Sequence, residues 1–156
     1  ADTIASLVAW LPAAERATAQ QLALALRDPA AALAAASGWP DGTRQRHAVT
    51  LALTRLARRQ SDSADAAWQQ LQSRFTLSEA QRNRILQTLA LFRATDFDDD
   101  ALARLIALPA AAQTDSTREW RVRVALARQD WSAALAGIEA MPASQQQDGD
   151  ARQDCK

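Results

Sequence analysis

Apolar residues recur at helical spacing toward the end of the chain. Trp120, Val124 and Ala127 stand at i, i+4 and i+7, and Ala134, Leu135, Ile138 and Met141 repeat that spacing after Asp130. Each set is the stripe of an amphipathic helix, because residues three and four apart share one face of a 3.6-residue turn. Asp130 can cap the second helix, its carboxylate accepting from the free N–H groups of a first turn, and Pro142 marks the end. Residues 118–142 therefore predict a helical hairpin.

The same layout recurs along the chain. Asp28, Asp62, Asp96 and Asp130 follow one another at intervals of 34 residues. Around the first and last of them, "ALRDPAAALAAASGWP" and "ARQDWSAALAGIEAMP" match at Asp28/Asp130, Ala32/Ala134, Leu33/Leu135 and Pro40/Pro142. The third unit has Phe97 where the fourth has Trp131 and ends at Pro109; the second is looser, with Phe75 near the place of the proline. A period near 34 with two helices per unit predicts an all-α fold, a right-handed α-α superhelix (solenoid) of helical hairpins of the tetratricopeptide type. The tetratricopeptide consensus itself is poorly met. About four hairpins fit, as one α-superhelical domain over residues 1–156, with residues 1–11 assigned to an incomplete preceding helix.

The punctuation agrees with hairpins. "STRE" (residues 116–119) and "SEAQ" (residues 78–81) have the spacing of a capping box. "WPDGT" is a Pro/Gly turn between the first two units, and "PAAAQTDST" is a small-residue connector before the fourth. Composition strengthens the helical expectation: alanine is the commonest residue, Gly numbers four and Tyr is absent. A chain of 156 residues buries about 70% of the surface its unfolded form exposes, enough for a real core.

Eighteen basic and eighteen acidic side chains leave no net charge, so composition gives no footprint for nucleic acid or an anionic membrane. No apolar run is long enough to span a bilayer. The single cysteine, Cys155, allows no internal disulfide. The chain begins at Ala1 and closes on "ARQDCK", which reads as a mature protein or an excised fragment of a longer chain.

Candidate chemistry is sparse. Asp96, Asp98 and Asp100 alternate as in the opening of a calcium loop, yet the positions that would need Gly and a bidentate Glu hold Ala101 and Ala107. Acids favoured by the dipole at a helix start explain the run better. With His47 the sole histidine, no transition-metal site is expected, and neither His47 nor Cys155 has a partner for nucleophilic chemistry. Of the four glutamates, Glu79 and Glu119 have uses near helix N-termini, Glu139 is flanked by core positions and Glu15 lies in "AERA"; none is assigned as a catalytic acid, and no cofactor is implied. Trp68, Trp120 and Trp131 are in phase with aliphatic neighbours and are expected to pack in the core or between repeats, while Trp39, beside Pro40, fits either role.

Seventeen of the eighteen basic residues are arginine. Arg27, Arg58, Arg59, Arg93 and Arg128 stand just before the marker aspartates, where a first helix ends and cations favour the dipole. The functional alternative is that stacked repeats align these guanidinium groups along one face, where they can grip a polyanion or a carboxylate-bearing polymer.

"AWQQLQSRFTLSEAQRNRILQTLAL" and "REWRVRVALARQDWSAALAGIEAMP" resemble the helical superhelix region of the soluble lytic murein transglycosylases, a resemblance that runs from about Arg44 to the C-terminus. It implies a periplasmic enzyme of Gram-negative bacteria that cleaves the β-1,4 bond between N-acetylmuramic acid and N-acetylglucosamine, leaving a 1,6-anhydromuramoyl end. In that family a separate lysozyme-like domain acts through a Glu-Ser motif followed by a Gly-Leu-Met-Gln type segment. Neither motif occurs here, so no catalytic residue carries over. The resemblance thus implies a non-catalytic scaffold segment that lacks the C-terminal catalytic domain and reaches peptidoglycan glycan strands through its parent enzyme. The alternative is a tetratricopeptide-like module that binds protein partners. No nucleic acid and no membrane span are expected, and the substrate-binding residues are unknown.

Overall fold

A computed structural model describes residues 12–146. The expectations for residues 1–11 and for Cys155 lie outside them. The described residues include the eight α-helices and one 3-10 turn named below, helical residues at 143–146, and no strand. It divides into two compact units, Ala1–Leu89 and Ala90–Lys156.

The first unit contains α1 (Ala13–Arg27), α2 (Pro29–Ala36), α3 (Thr43–Ala57), α4 (Ser61–Leu71) and the greater part of α5 (Glu79–Thr95). A single residue, Asp28, separates α1 from α2. Its carboxylate accepts from the Ala31 N–H at 3.0 Å, and Pro29 opens α2, where its missing N–H costs nothing. Helix α3 packs on α1, α2 and α4, and its sequence shows why it can. Ala48, Val49, Ala52, Leu53, Leu56 and Ala57 are all buried, a face two residues wide instead of a single stripe. Two threonines share that helix, and both satisfy their hydroxyls locally: Thr50 donates to the Arg46 carbonyl at 2.8 Å and Thr54 to that of Thr50 at 2.9 Å.

Leu33, Trp68, Leu71, Phe75 and Ile85 complete this core, each large side chain contributing roughly 1.5–3 kcal/mol by leaving water. Trp68 is buried as its phase predicts, with the Arg82 guanidinium 5.6 Å from its ring centre. Trp39 is buried too, at 8% exposure, because the turn that carries it folds over the core. Phe75 fills the slot where a proline was expected. Asp41, in the "WPDGT" turn, ties that turn to the corresponding turn one hairpin later. It accepts from the Thr76 N–H at 3.0 Å, the Thr76 hydroxyl at 2.7 Å and Arg46 Nε at 2.6 Å. The hydrogen bond from Arg46, followed by that from the Thr76 hydroxyl, holds its carboxyl well below the usual carboxylate range.

The "SEAQ" box is present at the start of α5: the Gln81 N–H donates to Ser78 Oγ at 3.2 Å, and the Ser78 N–H donates to Gln81 Oε1 at 2.9 Å.

The second unit runs through the end of α5, α6 (Ala101–Ile106), the 3-10 turn Ala110–Ala112, α7 (Asp115–Ala127) and α8 (Trp131–Glu139). Two of its turns are alike. Phe97 and Gln129 have φ of 56° and 57°. Asp98 N–H reaches back to the Arg93 carbonyl at 3.1 Å, and Asp130 N–H to that of Ala125 at 2.9 Å. Each is a Schellman ending whose left-handed residue is not glycine. The Asp130 carboxylate then accepts from the Ala133 N–H at 2.9 Å and starts α8, as expected from sequence.

Several positions depart from the sequence expectations. Asp62 lies inside the first turn of α4, after Gln60 at its cap, and Asp96 precedes the left-handed Phe97 instead of capping a helix. The box at α7 uses Thr114 and Thr117, not Ser116 and Glu119, because the helix starts a residue before "STRE". The acidic run is held by arginines more than by a dipole: Asp100 makes no side-chain cap but pairs with Arg93 at 2.9 Å and Arg104 at 2.5 Å, and Asp98 lies 3.4 Å from Arg93. Burial pushes the Asp100 carboxyl up, but the hydrogen bonds from Arg104 and Arg93 outweigh it and hold it low. Finally, α8 buries Ala134 and Gly137, the residues small enough to approach α7, and turns Trp131 (69% exposed), Leu135 (58%) and Ile138 outward. Ala127 is likewise exposed on α7, whose buried residues are Thr117, Val124 and Ala125. Trp120 is half-buried, edge-on to Phe97 with ring centres 5.9 Å apart.

Candidate functional site: an arginine cleft at two helix C-termini

Helices α1 and α3 lie against each other, and both have arginines at their C-terminal ends. Arg27 is the last residue of α1; Arg55 sits in the last turn of α3, Arg58 caps it and Arg59 follows. Arg58 and Arg59 continue the chain as a turn, the Arg59 N–H donating to the Leu56 carbonyl at 2.9 Å, so three guanidinium groups gather at the C-terminal end of α3. With Arg27, Leu26 and Pro29 they line an open cleft of about 220 Å³.

All four arginines are exposed. The nearest capping acid in sequence, Asp28, is engaged with the Ala31 N–H. None of the four makes an ion pair among the described residues, unlike Arg46, Arg93, Arg104, Arg118 and Arg128. The carbonyl ends of α1 and α3 offset part of this positive charge, but four cations with no carboxylate of their own still form a local excess in a neutral chain.

The five arginines singled out by sequence therefore divide. Arg27, Arg58 and Arg59 meet in the cleft, joined by Arg55, which the marker aspartates did not flag; its i, i+4 relation to Arg59 was the available signal. Arg93 and Arg128 do other work. Arg93 organises the acidic loop, and Arg128 donates to the Asp98 carbonyl at 2.7 Å.

A second concavity, of about 540 Å³, lies between the N-terminal parts of α1 and α3. Leu22 and Ala19 form its apolar wall, with Glu15, Arg44, His47 and Gln81 on its lining. Glu15 and Arg44 stand 4.0 Å apart across it, a solvent-screened pair. Glu119 pairs with Arg123 one turn on, and Glu139 is exposed. Among the described residues no group of three His, Cys, Asp or Glu is placed to hold a metal ion.

No family model and no curated protein matches the chain. Among solved structures it superposes on an inactive mutant of the lytic transglycosylase Slt from Pseudomonas aeruginosa, with a TM-score of 0.79 and 22% identity. The chain has a lytic transglycosylase-like fold. The likeness covers 90% of this chain and 23% of the enzyme, so the chain spans about a quarter of the protein it resembles. Among the described residues no helix is long and apolar enough to cross a membrane.

Proposed function

We propose that the chain is a non-catalytic helical segment of a periplasmic lytic transglycosylase, a scaffold of stacked hairpins that holds peptidoglycan strands near a separate catalytic domain. The superposition over nine-tenths of the chain carries this reading. In this view residues 1–156 form one α-superhelical domain of a longer protein, and cleavage of the MurNAc–GlcNAc bond belongs to the parent enzyme. Two of the glutamates support a segment without chemistry: Glu119 pairs with Arg123, and Glu79 opens α5.

The test is incubation of the chain with purified sacculi, reading cosedimentation and, by mass spectrometry, 1,6-anhydromuropeptide release. Binding without release is expected. Release by this chain alone would end the non-catalytic reading, and absence of cosedimentation would remove the peptidoglycan reading. A second reading, a tetratricopeptide-like protein-interaction module, draws support from the bare apolar face of Trp131, Leu135 and Ile138 on α8; it gains ground if sacculi are not bound.

A further inference from the structure

We propose that the cleft of Arg27, Arg55, Arg58 and Arg59 is a binding site for a peptide bearing two or more carboxylates. It deepens the scaffold reading, which supplies only the source of those carboxylates. Three observations meet at this place. The four guanidinium groups come from the C-terminal ends of two helices that are separate in sequence and are brought to one cleft by the packing of α1 on α3. None is joined to an acid among the described residues, whereas Arg46, near the start of α3, is bound to Asp41 at 2.6 Å. Like charges gathered at one helix end repel, which works against the fold and is relieved by an anion.

The cleft's size and chemistry select the ligand. A volume of about 220 Å³ lies below the roughly 300 Å³ at which sites begin to enclose drug-sized molecules, so it takes side-chain termini and leaves the rest of a ligand in solvent. Guanidinium forks match the two oxygens of a carboxylate in a parallel pair of hydrogen bonds. Leu26, 43% exposed, and Pro29 give the methylene carbons of an acidic side chain an apolar contact between the charges. Nucleic acid is the disfavoured polyanion, since seven of the other arginines have a carboxylate within 4.0 Å and the net charge is zero.

The test uses the full chain at low salt with acetyl-Glu-Glu-Glu as probe, followed through the arginine Nε–H resonances. Saturable shifts confined to these four arginines are expected, with no response to acetyl-Gln-Gln-Gln. Arg55→Gln combined with Arg59→Gln should weaken binding by roughly tenfold or more, as expected for losing charge-assisted hydrogen bonds, while the melting temperature stays the same or rises because repulsion is removed. Arg44→Gln, at the far end of α3, should leave the affinity unchanged. An equal loss in Arg44→Gln, no saturation, or tighter binding of inorganic phosphate or a DNA oligomer than of the acidic peptide would each overturn the proposal. Sacculus binding that survives the double variant would remove the site and leave the scaffold reading. Peptide binding by a chain with no affinity for sacculi would do the reverse.

Discussion

Leu33 and Leu135 each stand five residues after a capping aspartate, and substituting each by alanine separates what repeats in the chain from what does not. Leu33 is 5% exposed, on α2 between α1, α3 and α4, whereas Leu135 is 58% exposed on α8. Leu→Ala at a fully buried site costs about 2.7–5.0 kcal/mol, from lost transfer free energy and the cavity left behind. At Leu33, on a short helix whose neighbours can close in part, a cost of about 3 kcal/mol is expected. At Leu135 only about four-tenths of the residue is out of water, so the loss is a fraction of the 1.5–3 kcal/mol for full burial, offset slightly by alanine's better helix propensity; about 0.5 kcal/mol is expected. The assay is urea unfolding followed by far-UV circular dichroism at fixed m-value, with hydrogen exchange distinguishing the two units. For a unit of this size the melting temperature should fall by more than 10 °C for Leu33→Ala and by about 3 °C for Leu135→Ala. A cost above about 1.5 kcal/mol at Leu135 would mean that its face is covered in solution, and a cost below about 1 kcal/mol at Leu33 would refute the packing described for α2.

Three further outcomes are expected. Asp41 titrates below its unfolded value, so its contribution to stability is complete above about pH 4 and is lost as the pH falls toward its folded value; Asp41→Asn should flatten the acid side of the melting-temperature profile, and an unchanged profile would sink this linkage. A Cβ at Gly137 would stand 2.9 Å from Val122 Cγ2, and valine has little rotamer freedom in a helix; Gly137→Ala should destabilise by about 1 kcal/mol in spite of its propensity gain of similar size, and a net stabilisation in thermal melts would show that α7 and α8 can separate at no cost. Gln129→Gly removes a left-handed strain and should stabilise by roughly 0.5–1 kcal/mol in urea unfolding, whereas a loss would mean that the glutamine side chain contributes more than its backbone costs.

Much of the local structure was legible. Alanine richness and 3.6-residue spacing require helices, and the reach of a carboxylate to free N–H groups fixes Asp28 and Asp130 as caps, because both causes act within a few residues. The Ser78–Gln81 box is of the same kind. Helix faces were less legible. Both α8 faces carry apolar or small residues, and the pattern does not say which has a neighbour; Ala134 and Gly137 take the inner side because close helix approach favours small side chains, leaving Trp131 in water. Trp39 shows the opposite case, an aromatic in a turn that becomes core only when the turn folds over it.

The candidate site divides in the same way. The sequence placed arginines at helix ends, since the helix dipole acts within the last turn. It could not say that Arg93 and Arg104 would share Asp100, or that Arg27 would meet Arg55, Arg58 and Arg59 without an acid between them. A guanidinium's partner is chosen by which helices pack, and residues 27 and 55 are neighbours only through α1 on α3. Helices and the caps at Asp28, Ser78 and Asp130 were thus determined by short-range physics, while the buried faces, the paired and unpaired charges and the cleft were decided by tertiary packing, which brings together groups that lie far apart in the chain.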